Sequence, residues 1–566
     1  MKKQWKIKTP PEAPLANLPQ YPNLILRLLA LRGITEESVI HDFLEPDYEK
    51  LHDPFLFKDM QKAVQRINQA IQSQEKVAIY ADYDADAITA CSVLYLALKK
   101  LGLTPVSYIP DRFTEGYGMN QEAIRKLAED KVSLIITVDC GTNAVAEAGL
   151  CKELGMDLII TDHHEVTGPL PEAYAIINPK NPEDNYPFEF LTGVGVAYKL
   201  VQALYTAPTL RSEQPAMAGW EKWLLDLVAV GTVADCQSLT GENRILVSFG
   251  LKVLTKTRNL GLKALLEAAQ VKSDRYDSFT LGFVLGPRIN AAGRIKHADA
   301  AFNLLISDNA QDAQKLALDL NDLNKHRQTL TEQILSEARA QAELHLDKKI
   351  ILVFGQEWPK GIVGLIAGRL TEEYSRPSLA ISVDSAGTAT GSARSTPEYD
   401  MVAALGFAKE LLQRYGGHTQ AAGFTLTKEN LTPLHGKLLE YAESLNLEFS
   451  KPALNVDTEV VPEDITWENI ELVEKLSPFG IGNPKPKFLG KNLEVLEYRL
   501  VGGDKHLKLK AGFGSHRLEA IAFSQGFWAG KINIGDKFDA AFELSSNEWN
   551  GRKDMQLKIL DINLLE

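Results

Sequence analysis

The chain has 566 residues, of which 45% are hydrophobic and 24% are charged. This is a globular composition, which excludes a collagen-like fibre, a mostly disordered chain and a disulfide-rich mini-protein. Acidic residues outnumber basic ones by 74 to 61, giving a formal charge of −13, so any binding of nucleic acid must be local or assisted by metal ions.

The length predicts roughly three to four domains at about 150 residues each. The four cysteines form no Cys-x-x-Cys pair and therefore predict neither a zinc ribbon nor a disulfide framework. No apolar run approaches the ~20 residues of a membrane helix. Residues Met1–Pro14 lack the apolar core of a signal peptide. We therefore expect a soluble, cytoplasmic protein with reduced thiols.

The first two of five predicted segments contain helices and buried strands. Residues 1–73 are predicted to be helical, because several leucines are grouped before Gly33. Residues 74–307 alternate apolar β-branched runs with helical patterns, which indicates a parallel sheet in an α/β fold. The predicted strands are Lys76–Ala81, Ser133–Val138, Asp157–Thr161 and, as a strand or buried turn, Leu227–Ala234; the predicted helices include Ile88–Lys100 and Gln121–Glu129.

The other three segments differ from one another in pattern. Residues 308–346 lack Gly and Pro and show leucines at helical spacing, which predicts a connecting helix that begins with a capping box of Asp308 and Gln311. Residues 347–450 open with another predicted buried strand, Ile350–Phe354, and contain glycine-rich turns. Residues 451–566 alternate apolar and polar side chains, as expected for a small all-β barrel.

An acidic cluster, Asp82-Tyr83-Asp84-Ala85-Asp86, directly follows the first predicted strand. Three carboxylates at alternate positions repel one another unless a cation is bound, although a solvated acidic turn explains them equally well on their own. Asp139, Asp162-His163-His164 and Asp235 follow the other three apolar runs. Parallel strands would bring these groups to one edge of the sheet, where open α/β sheets bind ligands. Carboxylates with imidazoles suit manganese-type ions, and a shared carboxylate suits two ions ~3.5–4 Å apart.

These motifs, in this order, resemble the DHH phosphoesterase superfamily. Three further stretches are similar to its RecJ family of single-strand-specific exonucleases: GPRINAAGR at 286–294, GGHTQAAG at 416–423 and PFGIGNP at 478–484. The resemblance is collinear from about Phe43 to Asp561. It implies a DHH catalytic domain at 74–307, a connecting helix at 308–346, a DHH-associated α/β domain at 347–450 and an all-β oligonucleotide-binding (OB) barrel at 451–566.

The resemblance also implies an activity and a set of ligands. The activity is hydrolysis of single-stranded DNA from the 5′ end to mononucleotides, in repair and recombination, with two divalent ions, Mn²⁺ in preference or Mg²⁺. Asp139 would bridge the two ions, and His164 would lie close to the scissile phosphate. Asp82 belongs to the motif, but the resemblance assigns it no definite role as a ligand. The residues implied as metal ligands are Asp84, Asp86, Asp139, His163 and Asp235.

Phosphate and DNA contacts are predicted outside the acidic cluster. Arg288 and Arg294 carry forked donors suited to phosphate oxygens, unless they form structural salt bridges. Asn290, between them, orients a base, a sugar or merely a turn. The stretch 391–395, with Ser392 and Arg394, is predicted as a phosphate-wrapping turn that resembles a 5′-phosphate pocket, with Arg112 as helper.

Two further predictions concern His418 and the barrel. His418 is interpreted as part of a substrate-contacting turn, with a buried structural histidine as the alternative. The barrel would hold single-stranded DNA through a basic groove and stacked aromatic rings. Its candidate contacts are Lys508, Trp549 and Arg552, and further candidate stacking residues are Tyr498, Phe513, Phe527 and Trp528.

Three other functions are weighed against exonuclease activity: a phosphodiesterase for short oligonucleotides or cyclic dinucleotides, a pyrophosphatase, and a non-catalytic replication scaffold. A barrel is unnecessary for a small substrate, and the complete ligand set argues against a scaffold. Ala87 and Ala393 stand where the family usually has glycine. A single-stranded-DNA-binding protein and a helicase are partners implied by the resemblance, no membrane contact is expected, and a monomer is favoured.

Overall fold

The computed structural model describes residues 4–9, 18–112, 114–116, 118–206, 217, 219–271, 273, 275–295, 297–447, 449, 453–549 and 552–565, without the side chains of 548, 549 and 552. The chain divides into two compact units. The larger comprises Trp5–Gly293, Ala298–Leu318 and Asn455–Glu566, and the smaller comprises Met1–Gln4, Arg294–His297 and Asp319–Leu454. Within the described residues, every helix is too short or too polar to cross a membrane.

A five-stranded parallel sheet forms the centre of the larger unit, as the sequence predicts. The first six strands are β1 (Gln4–Ile7), β2 (Val77–Ala81), β3 (Val106–Tyr108), β4 (Leu134–Val138), β5 (Asp157–Thr161) and β6 (Ala175–Ile177). The sheet order is β3-β2-β4-β5-β6, and all of its pairings are parallel. The strand order therefore reverses between β2 and β4, which is the place where open α/β sheets bind ligands.

Helices cover this sheet and extend the unit. They are α1 (Asn23–Ala30), α2 (Glu37–Leu44), α3 (Met60–Ser73), α4 (Ala85–Lys100), α5 (Gln121–Glu129), α6 (Val145–Glu153), α7 (Gly193–Thr206), α8 (Leu225–Ala234), α9 (Gly241–Leu254), α10 (Leu260–Ala268), α11 (Gly286–Ile295) and α12 (Asp299–Ile306). The strand or turn predicted for Leu227–Ala234 is wrong, since this run lies within α8. Its residues are almost all apolar and buried, so no periodicity distinguishes a buried helix from a buried strand.

The long connecting helix is confirmed as Ala310–Glu343 (α13), and the division between the two units falls within it. Its first backbone amides donate to Asn309 rather than Asp308, so the predicted capping box is wrong. The next elements are β7 (Ile351–Gln356), α14 (Lys360–Tyr374), β8 (Ser378–Val383), β9 (Thr388–Arg394), α15 (Met401–Phe407), β10 (Arg414–His418), β11 (Ala421–Thr427) and α16 (Leu431–Ser444). The strands form one sheet in the order β10-β11-β9-β8-β7.

Two predicted glycine-rich turns of the smaller unit are strands instead. Most of the stretch 391–395 lies in β9, paired on both sides with β8 and β11, so its amides are not arranged to wrap a phosphate. Gly391 is there for packing, since a Cβ at this position would lie 2.2 Å from the ring of Phe424. Gly416, Gly417 and His418 lie in β10, and the connecting turn follows them.

The C-terminal region contains a closed β-barrel, as predicted, together with one α-helix. Its elements are β12 (Ala453–Val456), β13 (Thr458–Glu459), α17 (Trp467–Lys475), β14 (Phe488–Val501), β15 (His506–Phe513), β16 (His516–Ala522), β17 (Lys537–Trp549) and β18 (Arg552–Leu564). Strands β14, β15, β16, β18 and β17 follow one another, and a β14–β17 pairing closes the barrel. Leucines of α1 share a continuous apolar core with the barrel, so the N-terminal helices pack on it.

Candidate metal centre

The loop after β2 begins the centre. Asp82 follows the strand and is 2% exposed, while Asp84 caps α4 by accepting a hydrogen bond from the amide of Ala87 at 3.0 Å. Ala87 thus lies in a helix, where alanine is favourable and no positive φ is needed. Asn290 Oδ1 accepts from the amide of Ala85 at 2.9 Å, so Asn290 orients this turn.

Asp86 is held from the opposite side by the N-terminus of α7. Its two carboxylate oxygens accept hydrogen bonds from the amides of Gly193 at 2.6 Å and Val194 at 2.9 Å. The side chain is 1% exposed, so two backbone donors and the positive end of the helix dipole compensate its burial. The position of the carboxylate is therefore fixed before any ligand binds.

Asp139, after β4, adopts a left-handed backbone conformation with φ of 60°, which is uncommon for a residue with a Cβ. Its neighbour Gly193 leaves the required space, since a Cβ there would lie 2.5 Å from the Asp139 carboxyl group. Such strain is found where surrounding structure fixes a functional side chain. The sequence contains Gly193 in an inconspicuous apolar run, and no spacing rule singles it out.

His163 lies between three carboxylates. Its Nε2 is 3.0 Å from Asp139 Oδ1 and 3.9 Å from both Asp86 Oδ2 and Asp235 Oδ2. The predicted convergence of these four residues is confirmed, but Asp235 reaches the centre from the end of helix α8 and not from a strand.

The sequence indicates Asp162 only as part of the Asp162-His163-His164 motif, and the structure gives it a positioning role. Its Oδ2 accepts from the amide of Thr142, and its Oδ1 accepts from the amides of His163 and His164. The same Oδ1 lies 2.7 Å from Nδ1 of His164. Asn178, which sequence reasoning missed, donates to Thr142 Oγ1 and to the carbonyl of His164.

Burial dominates the electrostatics of the carboxylates. It raises the pKa of Asp82 to about 8 and the pKa of Asp235 to about 7, with Asp84 adding to both. The pKa values of Asp86 and Asp139 are also raised, first by burial and then by neighbouring carboxylates. Like charges thus accumulate where water is excluded, and a positive counter-charge is required to ionise them together.

The two histidines are shifted in opposite directions. Burial lowers the pKa of His163 to about 3, so its ring is neutral and able to act as a metal ligand. Burial also opposes protonation of His164, but the hydrogen bond and charge of Asp162 outweigh it and raise the pKa. Because His164 is more exposed, at 39%, it can meet a substrate while His163 stays inside.

The donor set fits divalent cations. Two groups of side chains, Asp86 with His163 and Asp235, and Asp139 with His163 and His164, have potential ligand atoms within 4.8 Å of one another. One buried oxygen each of Asp82, Asp139 and Asp235 accepts no hydrogen bond. Buried carboxylate oxygens without donors, together with imidazoles, suit Mn²⁺ or Mg²⁺ better than softer ions. Asp84 belongs to neither group, but its charge raises the pKa of the neighbouring carboxyl groups.

Other predicted contacts of the larger unit lie outside this cluster. The guanidinium of Arg112 lies over the ring of Tyr83, 5.0 Å from its centroid, and lowers the raised pKa of Asp82. Arg288 on α11 donates to the carbonyl of Val284. Lys508 on β15 forms an ion pair with Glu519 at 3.1 Å. The side chains of Trp549 and Arg552 lie outside the described residues.

The candidate stacking residues of the barrel have different surroundings. Phe513 is 3% exposed and belongs to the core, and Tyr498 and Trp528 pack against that core. Phe527 is 59% exposed, with Lys531 Nζ 5.3 Å from its ring centroid. Phe513 is therefore excluded as a stacking platform, and Phe527 is retained.

The predicted residues of the smaller unit form a second polar group. Arg394 donates to Ser392 Oγ at 3.0 Å, and Arg294 donates to the carbonyl of Gly361 in the first turn of α14. Gly364, one turn later, lets the helix approach, since its Cβ would lie 3.2 Å from Ser392 Oγ. His418 is exposed, so the alternative of a buried structural histidine is wrong.

Comparisons with known proteins agree with this geometry. Three family descriptions match: the DHH family N-terminal domain at 76–232, the DHHA1 domain at 347–444 and the RecJ OB domain at 456–561. The single-stranded-DNA-specific exonuclease RecJ of Bacillus subtilis is 40% identical over 100% of this chain and 71% of its own length. RecJ of Escherichia coli is 32% identical over 99% and 100%. The crystal structure of RecJ with Mn²⁺ from Thermus thermophilus superposes with a TM-score of 0.83 at 28% identity, covering 100% and 80%.

Proposed function

Because the chain belongs to the RecJ family of single-stranded-DNA-specific exonucleases, we propose that it hydrolyses single-stranded DNA from the 5′ end to mononucleotides. The observation that carries this proposal is the convergence of Asp86, Asp139, His163 and Asp235, in which one buried oxygen each of Asp139 and Asp235 accepts no hydrogen bond. The relative from Thermus thermophilus binds Mn²⁺ or Mg²⁺, which are the ions that this donor set fits.

The metal ligands of this proposal are Asp84, Asp86, Asp139, His163 and Asp235, with Asp139 shared. Divalent ions held there would lower the pKa of a water molecule, so that hydroxide is available near neutral pH, and they would offset charge on the phosphoryl oxygens. Asp86 is oriented by the amides of α7, and Asp139 by its left-handed backbone. Asp82 is a further buried carboxyl group of the motif, and a bound cation would favour its ionised form against its raised pKa.

His164 is the proposed proton donor to the substrate. Asp162 fixes its Nδ1, so the protonated ring presents Nε2–H toward a phosphate oxygen or the leaving 3′ oxygen. The raised pKa favours the protonated form of the ring. No side-chain nucleophile is required.

We propose that the group formed by Ser392 and Arg394 binds the 5′-phosphate and sets the polarity. It lies beside the first turns of α14, where backbone amides favour an anion. Within the smaller unit, Arg294 adds a guanidinium group suited to phosphate, and His418 adds an exposed contact. Arg288 and Arg112 of the larger unit are proposed as phosphate contacts in their own right. A strand and a helix N-terminus thus replace the phosphate-wrapping turn predicted from the sequence.

The barrel is proposed to hold the strand beyond the cleavage site through Lys508, Trp549 and Arg552. The proposed domains are residues 1–73, 74–307, 308–346, 347–450 and 451–566, of which the first and last share a core. We further propose that the protein acts in repair and recombination, is cytoplasmic and is a monomer. Its proposed partners are a single-stranded-DNA-binding protein and a helicase.

Digestion of a DNA strand labelled at either end, single-stranded or in duplex, tests the function. Release of mononucleotides from the 5′ end of the single strand, with Mn²⁺ or Mg²⁺ and not with a chelator, is expected. A Ser392→Ala, Arg394→Gln variant should lose its preference for 5′-phosphorylated over 5′-hydroxyl ends. Digestion from the 3′ end would refute the polarity, and cleavage of only very short strands would favour an oligonucleotide phosphodiesterase.

A further inference from the structure

Phe279 and Phe283 are the two most exposed aromatic side chains in the described part of the chain, at 62% and 68%. Their rings stack on each other with centroids 5.0 Å apart and planes within 18°. Neither belongs to the acidic centre or to the barrel. Two phenylalanines held in this way expose a flat apolar surface to water, which is unfavourable unless a partner covers it.

The backbone beneath the pair is unusual. Residues Thr280–Leu285 form a π-helix, a rare conformation that is frequently found at functional sites. Its inner face is buried through Leu281 and Leu285. The two rings therefore lie on the outer face of a firmly packed element.

This element is packed against the metal centre. A Cβ at Gly282 would lie 3.2 Å from Val233 Cγ1, and a Cβ at Gly286 would lie 3.1 Å from Ala234 Cβ. Val233 and Ala234 form the last turn of α8, directly before Asp235. The two glycines thus allow the π-helix to pack closely on the last turn of α8, which is followed by the proposed metal ligand Asp235.

The other end of the same helical stretch contacts the centre from the DHH loop. The π-helix continues into α11, where Asn290 orients the amide of Ala85. Phe283 lies seven residues before Asn290, which is at most about 10 Å along the helix axis at the ~1.5 Å rise of an α-helical residue. This distance corresponds to about three stacked nucleotides at ~3.4 Å each.

We infer that the Phe279–Phe283 pair is a stacking platform for a nucleobase of the single strand, a few nucleotides from the scissile phosphate. The inference rests on the proposed function and adds a specificity determinant to it. Unpaired bases of every type expose a π-face, so stacking binds a single strand without sequence preference. Bases within a duplex are already stacked on both sides, so the platform favours single strands.

The test measures binding and digestion separately. Dissociation constants for a 5′-phosphorylated oligonucleotide are measured in chelator, and single-turnover rates are measured with Mn²⁺, for wild type and for Phe279→Leu, Phe283→Leu. Leucine keeps the site apolar but removes the π-face. Phe354→Leu, at a 42% exposed phenylalanine of the smaller unit, is the matched control, and Phe283→Trp is the rescue variant.

The double leucine variant should bind the strand about 5- to 150-fold more weakly for each base that is no longer stacked. Abasic residues at successive positions should weaken wild-type binding at one or two positions and have no further effect there in the variant. The control and Phe283→Trp should bind like wild type. Equal binding of wild type and the double variant, or equal effects of abasic residues on both, would overturn the platform.

The outcomes separate this inference from the proposed function. A wild-type protein that binds the strand but does not digest it would refute the exonuclease and leave the binding comparison to decide the platform. A double variant with wild-type DNA binding that loses capture of a partner protein would assign the pair to that protein and overturn the inference.

Discussion

The larger unit buries two clusters of charged side chains, and they are built in opposite ways. Lys199 and Glu242 form an ion pair at 2.6 Å, and both are almost fully buried. Glu242 also accepts from the hydroxyl of Tyr186 and the amide of His52, and Lys199 donates to the carbonyl of His52. In the metal centre, by contrast, carboxylates face other carboxylates, and several of their oxygens accept no hydrogen bond.

The difference distinguishes a cluster that stabilises the fold from a cluster that is arranged to bind a cation. Both clusters carry desolvation costs, but the first offsets them with opposite charge and hydrogen bonds inside the protein. The second leaves the offset to a cation that the protein does not itself supply. The clusters are connected, since Lys199 lies on α7, whose first amides hold Asp86. Removing one charge should therefore lower activity but not stability in the metal centre, and lower stability but not activity in the Lys199–Glu242 pair.

The largest effect is expected for Asp139→Asn in the metal centre. The amide keeps the shape and tolerates the left-handed backbone, but it removes the shared carboxylate. Exonuclease activity should fall to about one thousandth of wild type or less. Metal-free stability should be unchanged or higher, because one buried like charge is lost. Digestion assays and urea unfolding in chelator measure both effects, and wild-type turnover by this variant would remove Asp139 from the centre.

Lys199→Met should have the reverse profile. It leaves the Glu242 carboxylate buried without its cation, so the free energy of unfolding should fall by about 3–5 kcal/mol. The folded protein should keep its activity at low temperature, since Lys199 contacts none of the proposed ligands. Lys152→Met, at an exposed ion pair with Glu172, is the control and should leave the urea midpoint unchanged. An equally stable Lys199→Met protein would contradict the structural role of the pair.

The sequence distinguishes these clusters only in part. Acidic residues after strands β2 and β4 predict a shared site, because strand periodicity and parallel pairing determine where the carboxyl ends lie. The path of Asp235 was not predictable in the same way, since an all-apolar run suits a buried helix as well as a buried strand. The sequence predicts Gly391 as a turn residue, whereas in the structure it makes room for the ring of Phe424, 33 residues away in sequence.

Long-range contacts also explain which residues of the site were missed. Gly193 matters because of its distance to Asp139, and Asn178 because of its bonds around His164. Both depend on tertiary packing that no local pattern encodes. The Lys199–Glu242 pair is invisible for the same reason, since it joins positions 43 residues apart.

Stability against pH should reveal the unbalanced charge of the centre. The pKa of Asp82 is raised to about 8 and that of Asp235 to about 7, above the ordinary 3.8. The stability gained from their protonated forms is full below that ordinary value and is lost as pH rises through about 7 and 8. The metal-free protein should therefore lose stability toward pH 8.5, and cations should restore it.

The corresponding measurement is the rise in Tm caused by Mn²⁺ between pH 5.5 and 8.5. At 100 times its Kd, the ion should raise the free energy of unfolding by about 2.7 kcal/mol. At a fixed Mn²⁺ concentration this increase should be larger at higher pH, because the carboxylates are then ionised without competition from protons. Asp139→Asn should show a smaller rise at every pH. A shift in Tm that is constant with pH would contradict the assigned pKa directions.

Gly193→Ala tests how closely the centre is packed. The added methyl group would lie 2.5 Å from the Asp139 carboxyl group, so the carboxylate must move. Affinity for Mn²⁺ or activity should fall about 10- to 100-fold, as when a supporting contact of a metal site is removed. Gly149→Ala on α6, where a Cβ has nothing within 4 Å, is the matched control. Equal Mn²⁺ titrations of the two variants would show that the centre is more plastic than the geometry indicates.

Asp162→Asn should have the smallest effect, because it acts on His164 and removes no proposed ligand. The amide oxygen can still accept from the amides of His163 and His164, but an NH2 group replaces the oxygen that accepts from Thr142, and the side chain no longer stabilises a positive charge on the imidazole. The pKa of His164, which Asp162 raises in the wild type, should therefore fall. Activity should stay within about tenfold of wild type at its optimum, while the alkaline limb of the rate profile moves to lower pH. An unmoved alkaline limb with an intact Mn²⁺ affinity would mean that His164 binds the substrate without giving it a proton, and the raised pKa would then belong to phosphate recognition alone.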